Sequence, residues 1–197
     1  MEVTWALLNS PIANAYAFTH LEKRDNIVGD MRHIPMPMTR SLAGIEAATR
    51  TYFDAASSGA DSESLRSLMS KVDAEVLRQY ALPLNLEAAV LSLFTGWNRV
   101  GVPFDQTRFL PEELEGKLHY ADFVDYEADW SKTNRRRGKL IDKNIAGTLS
   151  EAERSELNGL QAYADYHLER FAPRPTEVLT QLEDLVLAKT TNPKKGV

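Results

Sequence analysis

The 197-residue chain contains no cysteine. That removes disulfide frameworks, thiolate zinc sites, iron–sulfur clusters and cysteine nucleophiles together, and it fits a reducing compartment. Its ten glycines are never two or four positions apart, so the G-x-G-x-x-G dinucleotide fingerprint and the G-x-S-x-G nucleophile elbow are both missing. Gly96 and Gly101 have Walker-like spacing, but Val102-Pro103 follows where a Lys and a hydroxyl are required. Uninterrupted apolar runs, such as Trp5 to Leu8 and Ala88 to Leu91, fall far short of the roughly 20 residues of a membrane span. The opening Met-Glu-Val-Thr-Trp lacks the basic and long apolar regions of a secretory signal. A cytoplasmic protein without a membrane partner is expected. A net charge of −5 excludes a generally basic nucleic-acid coat and leaves room for a local basic patch.

Strict alternation of apolar and polar residues is almost absent, whereas six or seven segments repeat apolar residues at three-and-four spacing. The fold class is therefore mainly α. Asn9 or Ser10 can cap a helix with Pro11 in its first position, where the missing N–H costs nothing, and Ile12, Ala15, Tyr16 and Thr19 then face inward. From Lys23 to Pro37 the helical period stops in Asp25-Asn26, Gly29-Asp30 and Ile34-Pro35-Met36-Pro37, an irregular loop. Thr39 can cap a helix carrying Leu42, Ile45, Thr49, Tyr52, Phe53 and Ala56, which Ser57, Ser58 and Gly59 end. Asp61 or Ser62 starts another, with Leu65, Leu68, Met69, Val72, Val76 and Tyr80 on its apolar face, stopped at Pro83. A third places Leu86, Ala89, Val90, Leu93 and Phe94 inward and ends at Gly96. Three consecutive amphipathic helices with short connections predict an antiparallel bundle, because none buries its stripe alone.

Residues 97–119 hold Gly101, Pro103, Pro111 and Gly116 without a sustained period and read as a linker between a helical segment, 1–96, and a C-terminal module, 120–190. In that module two long helical patterns, Asp125 to Ile145 and Ser150 to Phe171, flank Gly147-Thr148-Leu149 and predict a helical hairpin. Ser150 and Glu153 form the S-x-x-E capping box, and Leu157, Leu160, Ala164, Leu168 and Phe171 make the seam. Pro173 and Pro175 break it before a last short helix, Thr176 to Ala188.

Catalytic chemistry finds little support. His20, His33, His119 and His167 form no H-x-x-x-H or H-E-x-x-H arrangement, so no metal or cofactor is expected. Asp105, followed by Glu115-Gly116-Lys117, is similar to the Asp and Glu-x-Lys that hold Mg²⁺ in some nucleases. Those sites need the Glu-x-Lys on a strand, whereas Leu110 to Leu118 reads as a short helix, and an acidic surface is the better reading. Asp122, Asp125, Glu127 and Asp129 lack the glycine and closing Glu of a calcium loop and suit a helix start, where the dipole favours negative charge.

The basic segment from Lys132 to Lys143 sets six cations against Asp142. Lys132, Arg136, Lys139 and Lys143 fall at i, i+4, i+7 and i+11, one stripe of a helix that can track phosphates. The competing reading is a solvated face paired with neighbouring acids. Lys23, Arg24, Arg32 and Arg40 surround the irregular loop, a second and sparser basic set.

The run Ala6-Leu7-Leu8-Asn9-Ser10-Pro11-Ile12-Ala13-Asn14-Ala15-Tyr16, followed by Ile34-Pro35-Met36-Pro37, resembles the end of the target-recognition region in adenine-specific DNA methyltransferases of the bifunctional restriction–modification type. Val72 to Pro83 is similar to the helical tail that follows it. The resemblance spans about residues 3 to 83. It implies that the loop from Leu21 to Pro37 lies near DNA, with Lys23, Arg24 and Arg32 as phosphate or base contacts and Asn14 as a polar candidate. The catalytic (Asn/Asp)-Pro-Pro-(Tyr/Phe) motif and the glycine-rich S-adenosylmethionine fold of that family are absent from the sequence. A non-catalytic DNA-recognition or accessory module is therefore expected, working with a catalytic methyltransferase or restriction subunit on another chain. The alternative is a helical protein–protein interaction module that does not bind DNA.

Overall fold

The computed structural model describes residues 1–20, 32–38, 41–173, 175 and 179–184. These are mainly α-helical with no strand among them, and they form a helical bundle as the periodicity requires. The chain separates into two units, Met1–Tyr163 and Ala164–Val197. Most of the irregular N-terminal loop, with Lys23 and Arg24, and also Thr39 and Arg40, lies outside the described residues.

In the first unit the helices are α1 (Glu2–Leu8), α2 (Pro11–His20), α3 (Ala43–Ser57), α4 (Ser62–Tyr80), α5 (Leu84–Ser92), α6 (Tyr120–Ala128), α7 (Trp130–Ile145) and the first part of α8 (Glu151–Phe171). Where a local signal marks a helix start, the structure follows it. Pro11 opens α2 and the Ser10 hydroxyl accepts the Ala13 N–H at 3.2 Å. Asp61 caps α4 by accepting the N–H groups of Glu63 and Ser64. Ser150 and Glu153 form the reciprocal capping box of α8, with the Glu153 N–H on Ser150 Oγ and the Ser150 N–H on Glu153 Oε2.

The central helix is α4. Leu65, Met69, Val72 and Val76 pack with Ala6 and Leu7 of α1 and Ile45 and Tyr52 of α3, while Ala74 and Leu77 join Ile12, Leu91, Leu110 and Tyr120 in a second cluster. Ser64, Ser67, Lys71 and Arg78 keep one stripe of this helix in water, whereas Asp73 is taken inside, 1% exposed. Leu140, Leu157 and Leu160 form a third cluster between α7 and α8, an antiparallel hairpin with Tyr126 and Leu149 packed against it. Gly147, at φ +70°, takes the left-handed conformation that ends α7.

Several expectations need correction. Thr19 is exposed, its hydroxyl donating back to the Ala15 carbonyl, and Ala56 is exposed in the last turn of α3. In α5 the buried positions are Glu87 and Leu91, whereas Leu86, Ala89 and Leu93 face outward. The pattern from Asp125 to Ile145 is two helices: Asp129, at φ −149° and ψ 81°, ends α6 and caps α7 by accepting the Lys132 N–H at 2.9 Å. The segment 97–119, read as a linker, contains a 3₁₀ turn at Glu112–Leu114 and buries Phe104, Leu110, Leu114 and Leu118.

In the second unit, Leu168 and Phe171 of the expected seam are exposed, as are Leu179 and Leu182 within the helical stretch 179–184. The exposed Phe171 ring lies against His167, with ring centroids 4.5 Å apart, and against the Arg170 guanidinium.

Candidate functional site

The basic stripe exists as a helical face, and its cations do not all have the same status. Asp129 fixes the start of α7, and Thr133 and Leu140 turn inward. Arg136 and Lys143 flank that buried side and reach α8: Arg136 grips Glu156 through two bonds of 2.7 Å, and Lys143 Nζ lies 2.5 Å from Glu153 Oε1. Lys143 and the Ser150 N–H together hold the Glu153 carboxyl down at about 2. Arg137 bonds Asn134 and Gln161. Lys132, Arg135 and Lys139 are exposed on the outer side and form no ion pair with any other described residue. Of the four stripe residues Arg136 and Lys143 brace the hairpin and Lys132 and Lys139 stay in water, joined there by Arg135, which the predicted stripe does not include.

The other expected contact residues are placed as follows. Asn14 is exposed on α2, its Nδ2 donating to the Ser10 carbonyl at 2.8 Å. Arg32 is exposed, and Lys23 and Arg24 lie outside the described residues. Close to Arg32, the Ile34-Pro35 segment is anchored, with Ile34 buried and the Tyr80 hydroxyl donating to the Pro35 carbonyl at 2.7 Å. The nuclease-like residues do not assemble on a strand, since Glu115 and Lys117 follow the 3₁₀ turn in irregular chain. Among the described residues no group of three His, Asp or Glu side chains is positioned for a metal ion, and no helix is long and apolar enough to cross a membrane.

A feature without a counterpart in the sequence motifs lies between α2 and the chain after α5. A pocket of about 390 Å³ is lined there by Asn14, Phe18, Phe94, Trp97, Gln106 and Phe109, among others. Arg99 holds one wall: its guanidinium makes two bonds to the buried Asp73 and donates to the Asn9 carbonyl at 2.7 Å. Burial pushes the Asp73 carboxyl up while Arg99 pulls it the other way. The same segment is pinned to residues 105–107 by Asn98, which donates to Asp105 and accepts the Gln106 N–H, both at 3.0 Å, and by the Gly96 N–H on the Thr107 carbonyl at 2.8 Å. The available sequence signal is Trp97-Asn98-Arg99 directly after Gly96: an aromatic, an amide and a cation in a short irregular segment.

Compared with known proteins, the chain matches no family model, no curated protein and no solved structure.

Proposed function

We propose that the protein is a non-catalytic DNA-recognition or accessory module that works with a catalytic partner chain. The observation that carries this reading is the outward row of Lys132, Arg135 and Lys139 on α7, spaced at i, i+3 and i+7 on a helix whose far side is fixed in a packed hairpin. Such a row meets successive phosphates without breaking internal bonds, and each phosphate neutralised releases counterions, so affinity falls steeply with salt. Arg136 and Lys143 lend their field to the same face while staying bonded to Glu156 and Glu153. The resemblance of residues 3 to 83 to the tail of adenine-specific DNA methyltransferases supports the same assignment and supplies the kind of partner, a methyltransferase or restriction subunit.

The test is anisotropy of a labelled duplex titrated with the full chain from about 50 to 200 mM salt. Replacing Lys132, Arg135 and Lys139 together by Ala lowers the slope of log affinity against log salt by about 0.9 for each phosphate that is no longer neutralised. No binding of the unaltered chain at the lowest salt rejects the reading.

A second reading, a protein–protein interaction module, is favoured by one observation in the second unit. Leu168, Phe171, Leu179 and Leu182 are all more than half exposed, a concentration of large apolar side chains that suits a partner surface. A stable complex formed by the chain without DNA, and abolished by Leu168→Asp with Leu179→Asp, identifies this mode.

A further inference from the structure

The pocket between α2 and the Trp97–Val100 segment has the composition of a site for a flat, neutral heterocycle. Its apolar surface is largely aromatic. Phe94 and Phe109 meet edge to face at 5.9 Å, and Phe109 continues edge to face onto the buried Tyr120 at 5.4 Å, so the floor is tied to the core. At the mouth Phe18 and Trp97 remain 71% and 67% exposed, an expensive arrangement for two large rings that contribute little to packing.

The polar groups are mostly amides. Asn98 uses one donor on Asp105 and its oxygen on the Gln106 N–H. Asn14 donates from Nδ2 to the Ser10 carbonyl and keeps Oδ1 as an acceptor, and the Gln106 side chain, with no hydrogen-bond partner among the described residues, offers both its NH2 as donor and its oxygen as acceptor. Among the described residues of the lining the sole charged group is Arg99, and it is neutralised by Asp73. An anion therefore finds no free cation among the described lining residues, and a saturated hydrocarbon leaves the amides unmatched. An aromatic ring with donors and acceptors along its edge satisfies both sets at once, since rings stack on Phe and Trp and base edges pair with Asn and Gln.

We propose that this pocket binds a nucleobase, stacked against both Phe18 and Trp97 and bonded at its edge by Gln106 and Asn14. The recognised chemistry is the base itself, whether offered as a free nucleoside or as an unstacked base of a single strand. The walls are set beforehand by the Arg99–Asp73 and Asn98–Asp105 bonds, so binding needs no rearrangement of the bundle. It is also independent of the α7 cations.

The experiment is a titration of the full chain with adenosine, with ribose as the base-free control, followed by Trp fluorescence excited at the red edge and by saturation-transfer NMR. The expected result is saturable binding of adenosine, no binding of ribose, and an affinity for adenosine monophosphate no better than for adenosine and insensitive to salt. Gln106→Ala and Phe18→Ala each weaken adenosine at least about fivefold, with the far-UV circular dichroism of both variants unchanged. The triple Ala variant of Lys132, Arg135 and Lys139 binds adenosine as the unaltered chain does, even where duplex binding is abolished. An unpaired oligonucleotide that competes with adenosine places the base source in a single strand, and an oligonucleotide that does not compete restricts it to the free nucleoside. The proposal is overturned by no adenosine signal up to its solubility, by equal affinity in the Gln106→Ala and Phe18→Ala variants, or by a Trp-containing peptide occupying the site where adenosine does not.

Discussion

The bundle around α4 and the α7–α8 hairpin use the same oppositely charged pairs in opposite settings. Beside α4, Asp73 is 1% exposed and its Arg99 partner 15%. On the hairpin, Arg136 and Glu156 are 43% and 34% exposed. A buried charge loses its water and depends wholly on its partner, whereas a surface charge exchanges its partner for water at little cost. Inside the bundle the charged pair therefore determines where chain segments go, Arg99 drawing the Trp97–Val100 segment onto the α1–α2 junction. On the hairpin the pairs steady a surface whose outward cations, Lys132, Arg135 and Lys139, remain in water.

The sharpest separation of the two settings comes from removing one partner in each. Arg99→Ala leaves Asp73 buried and unpaired, and a loss of about 3–5 kcal/mol in urea unfolding is expected. Replacing both, Asp73→Leu with Arg99→Leu, recovers much of that loss, because two apolar groups need no partner. Glu87 provides the next test. It is buried at 3% exposure, accepts the Tyr120 N–H at 2.6 Å and lies 3.1 Å from His119 Nδ1. It thus serves as an acidic cap for α6 supplied from α5. Glu87→Ala is expected to cost about 2–3 kcal/mol, measured in the same way. Arg136→Ala, at the surface pair with Glu156, should cost no more than about 1 kcal/mol and less in high salt.

The smallest effect is a matter of pH. Because the folded Glu153 carboxyl is held at about 2, below its ordinary 4.5, the hairpin gains from its ionisation above the ordinary value. That gain disappears as the pH falls from about 4.5 towards 2. An NMR titration of the Glu153 side chain should find its midpoint near the lower end, and Lys143→Ala should move it upward.

The same contrast between local and distant causes explains what could be read from the sequence. Ser10-Pro11, Asp61 and Ser150 with Glu153 announce helix starts through groups that bond their own neighbours within three residues, and all are legible. The face that α5 buries is not, because Glu87 turns inward to serve an N-terminus 32 residues further on, and no periodicity encodes that demand. Asp129 reads as part of an acidic face, although its spacing to Lys132 also fits a helix cap, and so the break between α6 and α7 is hidden in a continuous helical pattern. At the candidate site, the row on α7 follows from spacing, but its division into bonded and outward cations depends on which acids α8 brings opposite. The pocket is illegible because its walls come from α2, the Trp97–Val100 segment and Gln106, brought together by long-range bonds of Arg99, Asn98 and Gly96.

Asp129 acts as a one-residue joint, since α6 ends at Ala128 and α7 begins at Trp130. Because a helix turns about 100° per residue, this joint works as a dial for the side chains beyond it. One residue inserted there would demand a quarter-turn of α7, carrying Lys132, Arg135 and Lys139 round the hairpin and setting Leu140 against water. The seam with Leu157 and Leu160 resists such a rotation. Length at this point is therefore constrained more tightly than composition: Asp129 tolerates exchange for another capping residue, while a single insertion or deletion re-aims the whole basic face.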